Sequence, residues 1–319
     1  MEVYFYEVFA EEAEVLRDLL GTRFSWGMTD RTVQEAGHTR PPARLVCIRT
    51  QSVVPPAWAG SLDGILSRST GYDHLLRFRG RISRPLPLGY LEEYATRAVA
   101  EHAVTLLAAL FKRLPLQIRH FPTFQRDGMT GGEWEGRRLL VVGVGRIGVE
   151  VARIASAMGF VVRGVDIVPD KAGVEYVGKE EGIRWAEAVV CAMNLTADNG
   201  GYFDYHLLKK ARRGLVFVNV ARGEHSPLAD LERLLREGHL GGLGLDVFED
   251  EEELAVSLRA GRRGDKGTAV VERLLSYPNV LLTPHNAFNT AEALRRKGEL
   301  TVRQIDHFLR HGDFIWKVP

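Results

Sequence analysis

Two rhythms of apolar and polar positions run along this chain, short apolar runs and longer stripes at helical spacing. The run Leu139-Leu140-Val141-Val142 predicts a buried strand, and glycines at 143, 145 and 148 turn it straight into a helix. Ile147, Val151, Ile154, Ala155 and Met158 share one face of that helix. Gly159 stops it, and Phe160 to Val165 predicts a second strand ending in Asp166. The rhythm continues with strands over 188–193, 215–220, 243–247 and 280–282 and helices over 205–212 and 227–237. This predicts a doubly wound parallel sheet of about six strands.

An earlier, smaller β–α alternation precedes it. Val3–Tyr6, Leu45–Ile48 and Gly64–Ser67 read as strands, with an acidic helix from Glu11 to Leu20 and a proline-rich loop past Pro55 and Pro56. Glu92 to Leu114 reads as one long helix, apolar on more than one face, as an inter-domain or inter-subunit element would be. Gly128 to Gly136 reads as a polar loop, and Ala291 to Leu309 as a helix returning to the first domain. The fold class is α/β: two Rossmann-like or flavodoxin-like domains, each a doubly wound parallel sheet, with a cleft between them.

The glycine turn supplies the first chemistry. Gly143 permits a tight turn, Gly145 lets the backbone approach a pyrophosphate, and Gly148 lets helix and strand pack closely. The helix N-terminus offers N–H groups and positive potential to phosphates. Asp166, at the end of the next strand, suits the adenosine ribose hydroxyls and repels a 2′-phosphate, which favours NAD over NADP. A glycine turn alone is common; the strand–turn–helix–strand–Asp context makes it a dinucleotide site. The NAD-binding domain is then 98–287, and the substrate domain 1–97, completed by 288–319.

Composition narrows the rest. Forty-two basic and 41 acidic residues in 319 leave a charge of +1, so nothing in the bulk charge points to nucleic acid or an anionic membrane. The two cysteines, Cys47 and Cys191, lie in apolar settings and suit a reducing cytoplasm, with no disulfide framework. No apolar run is long enough to span a bilayer, and no ligand cluster suggests a metal.

In an open α/β sheet the site lies beyond the carboxyl ends of the strands. Those ends carry Asp166, Asn194, Ala221-Arg222-Gly223, Asp246 and Thr283-Pro284-His285. Arg222 can clamp a carboxylate with its planar fork, and His285 can exchange a proton with an alcohol. A neighbouring carboxylate would fix the histidine's tautomer. Taken singly, each has a plainer reading: a structural ion pair for the arginine, a packing residue for the histidine, a solvated acidic loop for Glu249–Glu253.

Taken together, four segments resemble the D-isomer-specific 2-hydroxyacid dehydrogenases, in that family's order. They are Val141–Gly148, Asn219–Gly223, Leu245–Glu251 and Leu282–His285, and Ala98–Ala103 is similar to its inter-domain helix. The resemblance weakens over the first 60 or so residues. It implies Arg222 as substrate clamp, His285 as proton donor and Glu251 as its carboxylate partner. It also implies Asp246 near the nicotinamide carboxamide, and Arg146, Ile147, Val220 and Ala221 as backbone positions along the cofactor. Thr70 and Gly71 would offer main-chain N–H groups to the substrate carboxylate. The implied reaction interconverts a 2-oxo acid and a D-2-hydroxy acid with NAD, in a homodimer.

Three details resemble the D-lactate dehydrogenase branch: Phe288 three residues after His285, Tyr94 ahead of the inter-domain helix, and the long segment between Glu251 and His285. Tyr94 and Phe288 would wall off a small substrate; both also suit an ordinary core. One departure stands out. The family carries a His-x-Pro segment after the fourth strand, and this chain has Ala192-Met193-Asn194, leaving Met193, Asn194 and Asn199 to meet the cofactor. Arg77, Arg79, Arg81 and Arg84 read as a solvated basic loop, or more sharply as a site for a second anionic substrate group. Rival readings are a hydroxypyruvate or glyoxylate reductase, a phosphorylated-hydroxyacid dehydrogenase, and a non-enzymatic NAD-sensing co-repressor.

Overall fold

Short, mostly apolar runs become strands that pair with their neighbours in parallel throughout both sheets. The computed structural model describes residues 1–319, apart from the side chains of 266 and 267. Two units emerge, Met1–Ala95 with Asn289–Pro319, and Thr96–Phe288.

The first unit runs β1 Val3–Phe5, α1 Ala10–Leu20, β2 Trp26–Met28, α2 Val33–Ala36, β3 Leu45–Ile48, β4 Gly64–Ser67, α3 Asp73–Arg79 and β5 Leu88–Gly89. Its sheet order is β2-β1-β3-β4-β5, the flavodoxin-like order. β3 and β4 are buried at every position, as strands covered on both faces must be.

The second unit begins with α4 Thr96–Phe111 and α5 Leu114–His120 and continues β6 Arg138–Val142, α6 Arg146–Ala157, β7 Val161–Val165 and β8 Glu175–Tyr176. Then come α7 Lys179–Trp185, β9 Ala188–Cys191, α8 Tyr205–Leu208, β10 Leu215–Asn219, α9 Leu228–Arg236 and β11 Leu240–Leu245. α10 Glu251–Arg259, α11 Lys266–Ser276 and β12 Val280–Leu282 close it. The sheet order β12-β11-β10-β9-β6-β7-β8 reverses direction beside β6, so the crevice at the carboxyl ends of β6 and β9 is the topological switch point.

α4 buries Ala98, Val99, Ala100, Ala103, Val104, Leu106, Leu107 and Leu110. It comes close to β11 because that strand has glycines there. A Cβ at Gly242 would lie 3.2 Å from Leu110, and one at Gly244 3.3 Å from Leu106. Each leucine so buried contributes roughly 1.5–3 kcal/mol relative to exposure.

Back in the first unit, α12 Ala291–His311 is capped by the Thr290 side chain and ended by Gly312 in the left-handed region, φ +72°. It crosses α1 at Gly298, where a Cβ would meet Leu19 and Val15 at 2.7 and 2.8 Å. Between these helices and the end of β4 lies a buried ionic cluster: Lys297 is 2.6 Å from Glu12, and Arg68 is 3.2 Å from it. Arg68 also donates to the Tyr6 and Glu7 carbonyls.

Three expectations need correction. The predicted 92–114 helix is shorter at both ends: α4 starts at Thr96 and stops at Phe111, Arg113 takes φ +51°, and α5, with Pro115 in its first turn, is a separate helix from Leu114 to His120. The larger sheet has seven strands, because the two-residue edge strand β8 is too short to show as an apolar run. The acidic run after Glu249 is no loop throughout, since Glu251 starts α10, where carboxylates meet the positive end of the helix.

Candidate active site

At the switch point the glycines divide their work. Gly143 has φ +87°, and a Cβ there would stand 2.4 Å from the Met193 backbone. A Cβ on Gly148 would stand 1.9 Å from the Gly143 carbonyl oxygen. Gly145, the residue capping α6, has no atom within 4 Å of its Cβ position. This is open space beside the helix N-terminus that begins with Arg146 and Ile147, a cradle that fits a pyrophosphate. The half-buried Asp166 is wired to the turn: its carboxylate accepts from Val144 N–H at 2.5 Å and from Val168 N–H at 2.9 Å. Two oxygens retain further acceptor capacity for ribose hydroxyls.

The loop after β9 is tied from within. Asn199 donates to the Asn194 carbonyl and accepts from Thr196 N–H, both at 2.8 Å. After β10 the fully buried Asn219 shapes the next turn, accepting from Ala221 N–H at 3.0 Å and donating to the Arg222 carbonyl at 2.8 Å and the Ser226 hydroxyl at 2.9 Å. Val220 N–H donates to the Cys191 carbonyl. The main-chain N–H groups of Val220 and Ala221 are therefore spent inside the protein. Arg222 is half-buried with one guanidinium N–H on the Ala221 carbonyl. Gly223 is obligatory, since a Cβ would sit 1.8 Å from Phe248 C. Glu249 caps α9 by accepting from Leu228 N–H at 2.7 Å, and burial pushes its carboxyl above the usual range.

His285 occupies a left-handed conformation, φ +50°, that a non-glycine residue adopts only when its surroundings enforce it. Asp246 is the enforcer. Its buried carboxylate accepts from Asn286 N–H at 2.8 Å, Ala287 N–H at 2.9 Å and the Thr283 hydroxyl at 2.6 Å, while its carbonyl accepts from His285 N–H at 2.8 Å. Because the Thr283 proton goes to Asp246, its oxygen takes the hydrogen bond from His102 Nε2 at 3.1 Å. Thr283 and His102 gained no role from the sequence, though both stand inside segments matching the family. His285 Nδ1 lies 2.7 Å from Glu251 Oε1, with the two side chains 19% and 17% exposed. The pair orients the ring and leaves Nε2 for chemistry.

Tyr94 is buried, and its carbonyl accepts from Arg296 Nε at 2.9 Å; Phe288 is also buried, as core aromatics would be. Thr70 is exposed, and the Gly71 carbonyl accepts from the Ser69 hydroxyl at 2.8 Å. Of the arginine cluster, all exposed, Arg84 staples the Ala59 and Gly60 carbonyls and Arg77 lies 3.9 Å from Asp73. Among the described residues, no group of three His, Cys, Asp or Glu could hold a metal ion, and no helix is long and apolar enough to cross a membrane.

Comparison with known proteins bears on this arrangement. Residues 104–287 match the profile of the D-isomer specific 2-hydroxyacid dehydrogenase, NAD binding domain. The chain is 31% identical over 230 residues to the D-lactate dehydrogenase of Escherichia coli, covering 67% of this chain and 66% of that one, just under two thirds of the relative's length. It is 30% identical over 228 residues to an aromatic 2-oxoacid reductase of Clostridium sporogenes, covering 69% and 67% of the two chains. The crystal structure of D-lactate dehydrogenase from Aquifex aeolicus complexed with NAD and lactic acid superposes with a TM-score of 0.86 at 25% identity, over 98% of this chain and 99% of that one.

Proposed function

The chain belongs to the D-isomer specific 2-hydroxyacid dehydrogenase family and carries its NAD-binding domain, and on that premise we propose that it reduces a small 2-oxo acid to the D-2-hydroxy acid, in the manner of a D-lactate dehydrogenase. The observation that carries this reading is the His285–Glu251 pair at 2.7 Å, on a turn fixed by Asp246. NADH, when bound, supplies the hydride. His285 gives its Nε2 proton to the substrate oxygen and takes it back in the reverse direction, while Glu251 holds Nδ1. The Arg222 fork pairs with the substrate carboxylate. Thr70 and Gly71 are assigned as further main-chain donors to it. Gly143, Gly145, Arg146, Ile147 and Gly148 hold the pyrophosphate, and Asp166 the ribose. Met193, Asn194, Asn199, Val220, Ala221 and Asp246 are assigned to the rest of the cofactor's length, and Tyr94 and Phe288 to the substrate side.

The lactate-type reading draws support from the E. coli relative and the Aquifex structure, and the Clostridium reductase favours a second reading with a larger aromatic 2-oxo acid. NADH oxidation measured against pyruvate, aromatic 2-oxo acids, hydroxypyruvate and glyoxylate separates them. Turnover is expected on pyruvate or a near homologue and is reduced about 10²- to 10⁴-fold in His285→Ala, the usual contribution of a general acid. Turnover confined to hydroxypyruvate or glyoxylate sinks the lactate assignment.

We also assign a cytoplasmic homodimer. Both cysteines are buried free thiols, as a reducing compartment allows. α5 and the turn after it expose Leu114, Ile118, Phe121 and Phe124 at 44%, 66%, 73% and 70%, a face suited to a second copy. Light scattering on the purified protein is expected to give the dimer mass; a monomer at micromolar concentration refutes this.

A further inference from the structure

One buried histidine joins the loop after β9 to the turn after β10. His225 has no exposed surface; its Nδ1 is 3.2 Å from the Asn199 carbonyl oxygen and its Nε2 is 3.3 Å from that of Met193. Both neighbours can only accept. A neutral imidazole has a single N–H and can satisfy one of them, whereas the imidazolium satisfies both. The backbone runs alongside, with Gly201 N–H on the Glu224 carbonyl at 2.7 Å and Phe203 N–H on the His225 carbonyl at 2.8 Å. On its other side, His225 N–H reaches the Arg222 carbonyl at 3.3 Å, the same oxygen that Asn219 holds. The loop so gripped is the one that presses on the glycine turn, where Met193 leaves no room for a Cβ on Gly143.

We propose that His225 is a positioning residue for the cofactor, its ring locking the Met193–Asn199 loop against the Arg222 turn, with the ring's second proton completing the lock. This rests on the assignment of Met193, Asn194 and Asn199 to the cofactor. It also explains how the loop is ordered without the family's His-x-Pro segment. A proline stiffens a loop from within by fixing φ; here the restraint comes from a neighbouring turn.

The sign of the pH dependence follows from the surroundings. Burial lowers the ring's proton affinity below that of a free imidazole. The Asn199 and Met193 carbonyls and Glu224 oppose that, and Arg222 adds to it. At neutral pH the ring is therefore neutral and the lock half made. Acidification completes it, so cofactor affinity rises as pH falls.

The test uses the full chain and NADH. Dissociation constants are measured by nicotinamide fluorescence at pH 8 and pH 6, for the wild type and His225→Gln, alongside amide exchange over 193–201. The wild type is expected to bind tighter at the lower pH, by less than the roughly fivefold that one complete hydrogen bond is worth, because burial leaves only part of the rings protonated there. His225→Gln is expected to lose that dependence and to exchange its loop amides faster. A variant that keeps both the wild-type dependence and the wild-type exchange overturns the proposal. Faster exchange with unchanged NADH affinity overturns the cofactor role and locates the failure in the assignment of the loop. Should the variant not fold, the wild type still decides: by linkage, NADH must raise the His225 titration midpoint followed by NMR. An unmoved midpoint refutes the lock.

Discussion

Glu12 and Glu251 each lie within 2.7 Å of a basic nitrogen, Lys297 Nζ at 2.6 Å and His285 Nδ1 at 2.7 Å, yet their surroundings differ in kind. Glu12, Arg68 and Lys297 are at most 2% exposed. Burial alone would raise the Glu12 carboxyl, but Arg68, Lys297 and Arg49 hold it below the usual carboxylate range. Burial drives the Lys297 ammonium well below the usual lysine range, against the pull of Glu12. Glu251 and His285 are instead partly open, at 17% and 19% exposed. A sealed cluster, with one carboxylate set between two cations and closed to solvent, can only hold structure together. A pair at a half-open turn leaves one ring nitrogen for a substrate. Exposure, more than pairing distance, separates the two roles.

Removing the carboxylate from the sealed cluster tests the comparison most severely. Glu12→Gln leaves two cations buried together and is expected to cost about 3–5 kcal/mol of unfolding free energy, the usual penalty for breaking a buried pair. Urea melts of variant and wild type measure it; a loss below about 1 kcal/mol would mean the cluster is wet. The pH dependence has a definite sign. Glu12 titrates lower in the folded chain than in the unfolded one, so its stabilisation is present above the unfolded value of about 4.5 and is lost as pH falls through the folded value. The wild type should therefore lose stability on acidification below that range, and Glu12→Gln should lose less.

The open pair should respond in the other currency. Glu251→Gln is expected to lower kcat by on the order of 10²-fold, through loss of the group that fixes the ring's tautomer. The same melts should show a change under about 1 kcal/mol, as for a partly exposed pair. A large loss of stability with kcat intact would reverse the two roles.

The strand–turn–helix around Gly143 was legible because each glycine answers a local demand: a positive φ, a contact at 1.9 Å, or open space for a ligand. Arg222, Glu251 and His285 were legible as members of ordered motifs, with nothing in their own spacing to set them apart from surface residues. Asp246 was singled out for the cofactor. Its carboxylate proves to organise the 283–287 turn, a task visible only once the backbone folds back on it. His225 escaped altogether and Asn219 stood only as a member of a motif with no task of its own, since a histidine and an asparagine in sequence carry no sign of which groups they will meet.

By itself, then, the sequence determined the periodicities: parallel strands, the helices between them, the glycine turn and the order of the motifs. These depend on side-chain spacing and backbone sterics over a few residues. The tertiary structure alone decided that the long apolar helix stops at Phe111 and the chain turns at Arg113, which ion pair is sealed and which stands half-open, and which histidine faces two carbonyl oxygens. Burial and hydrogen-bond partnership are made by residues distant in the chain, and no local pattern encodes them.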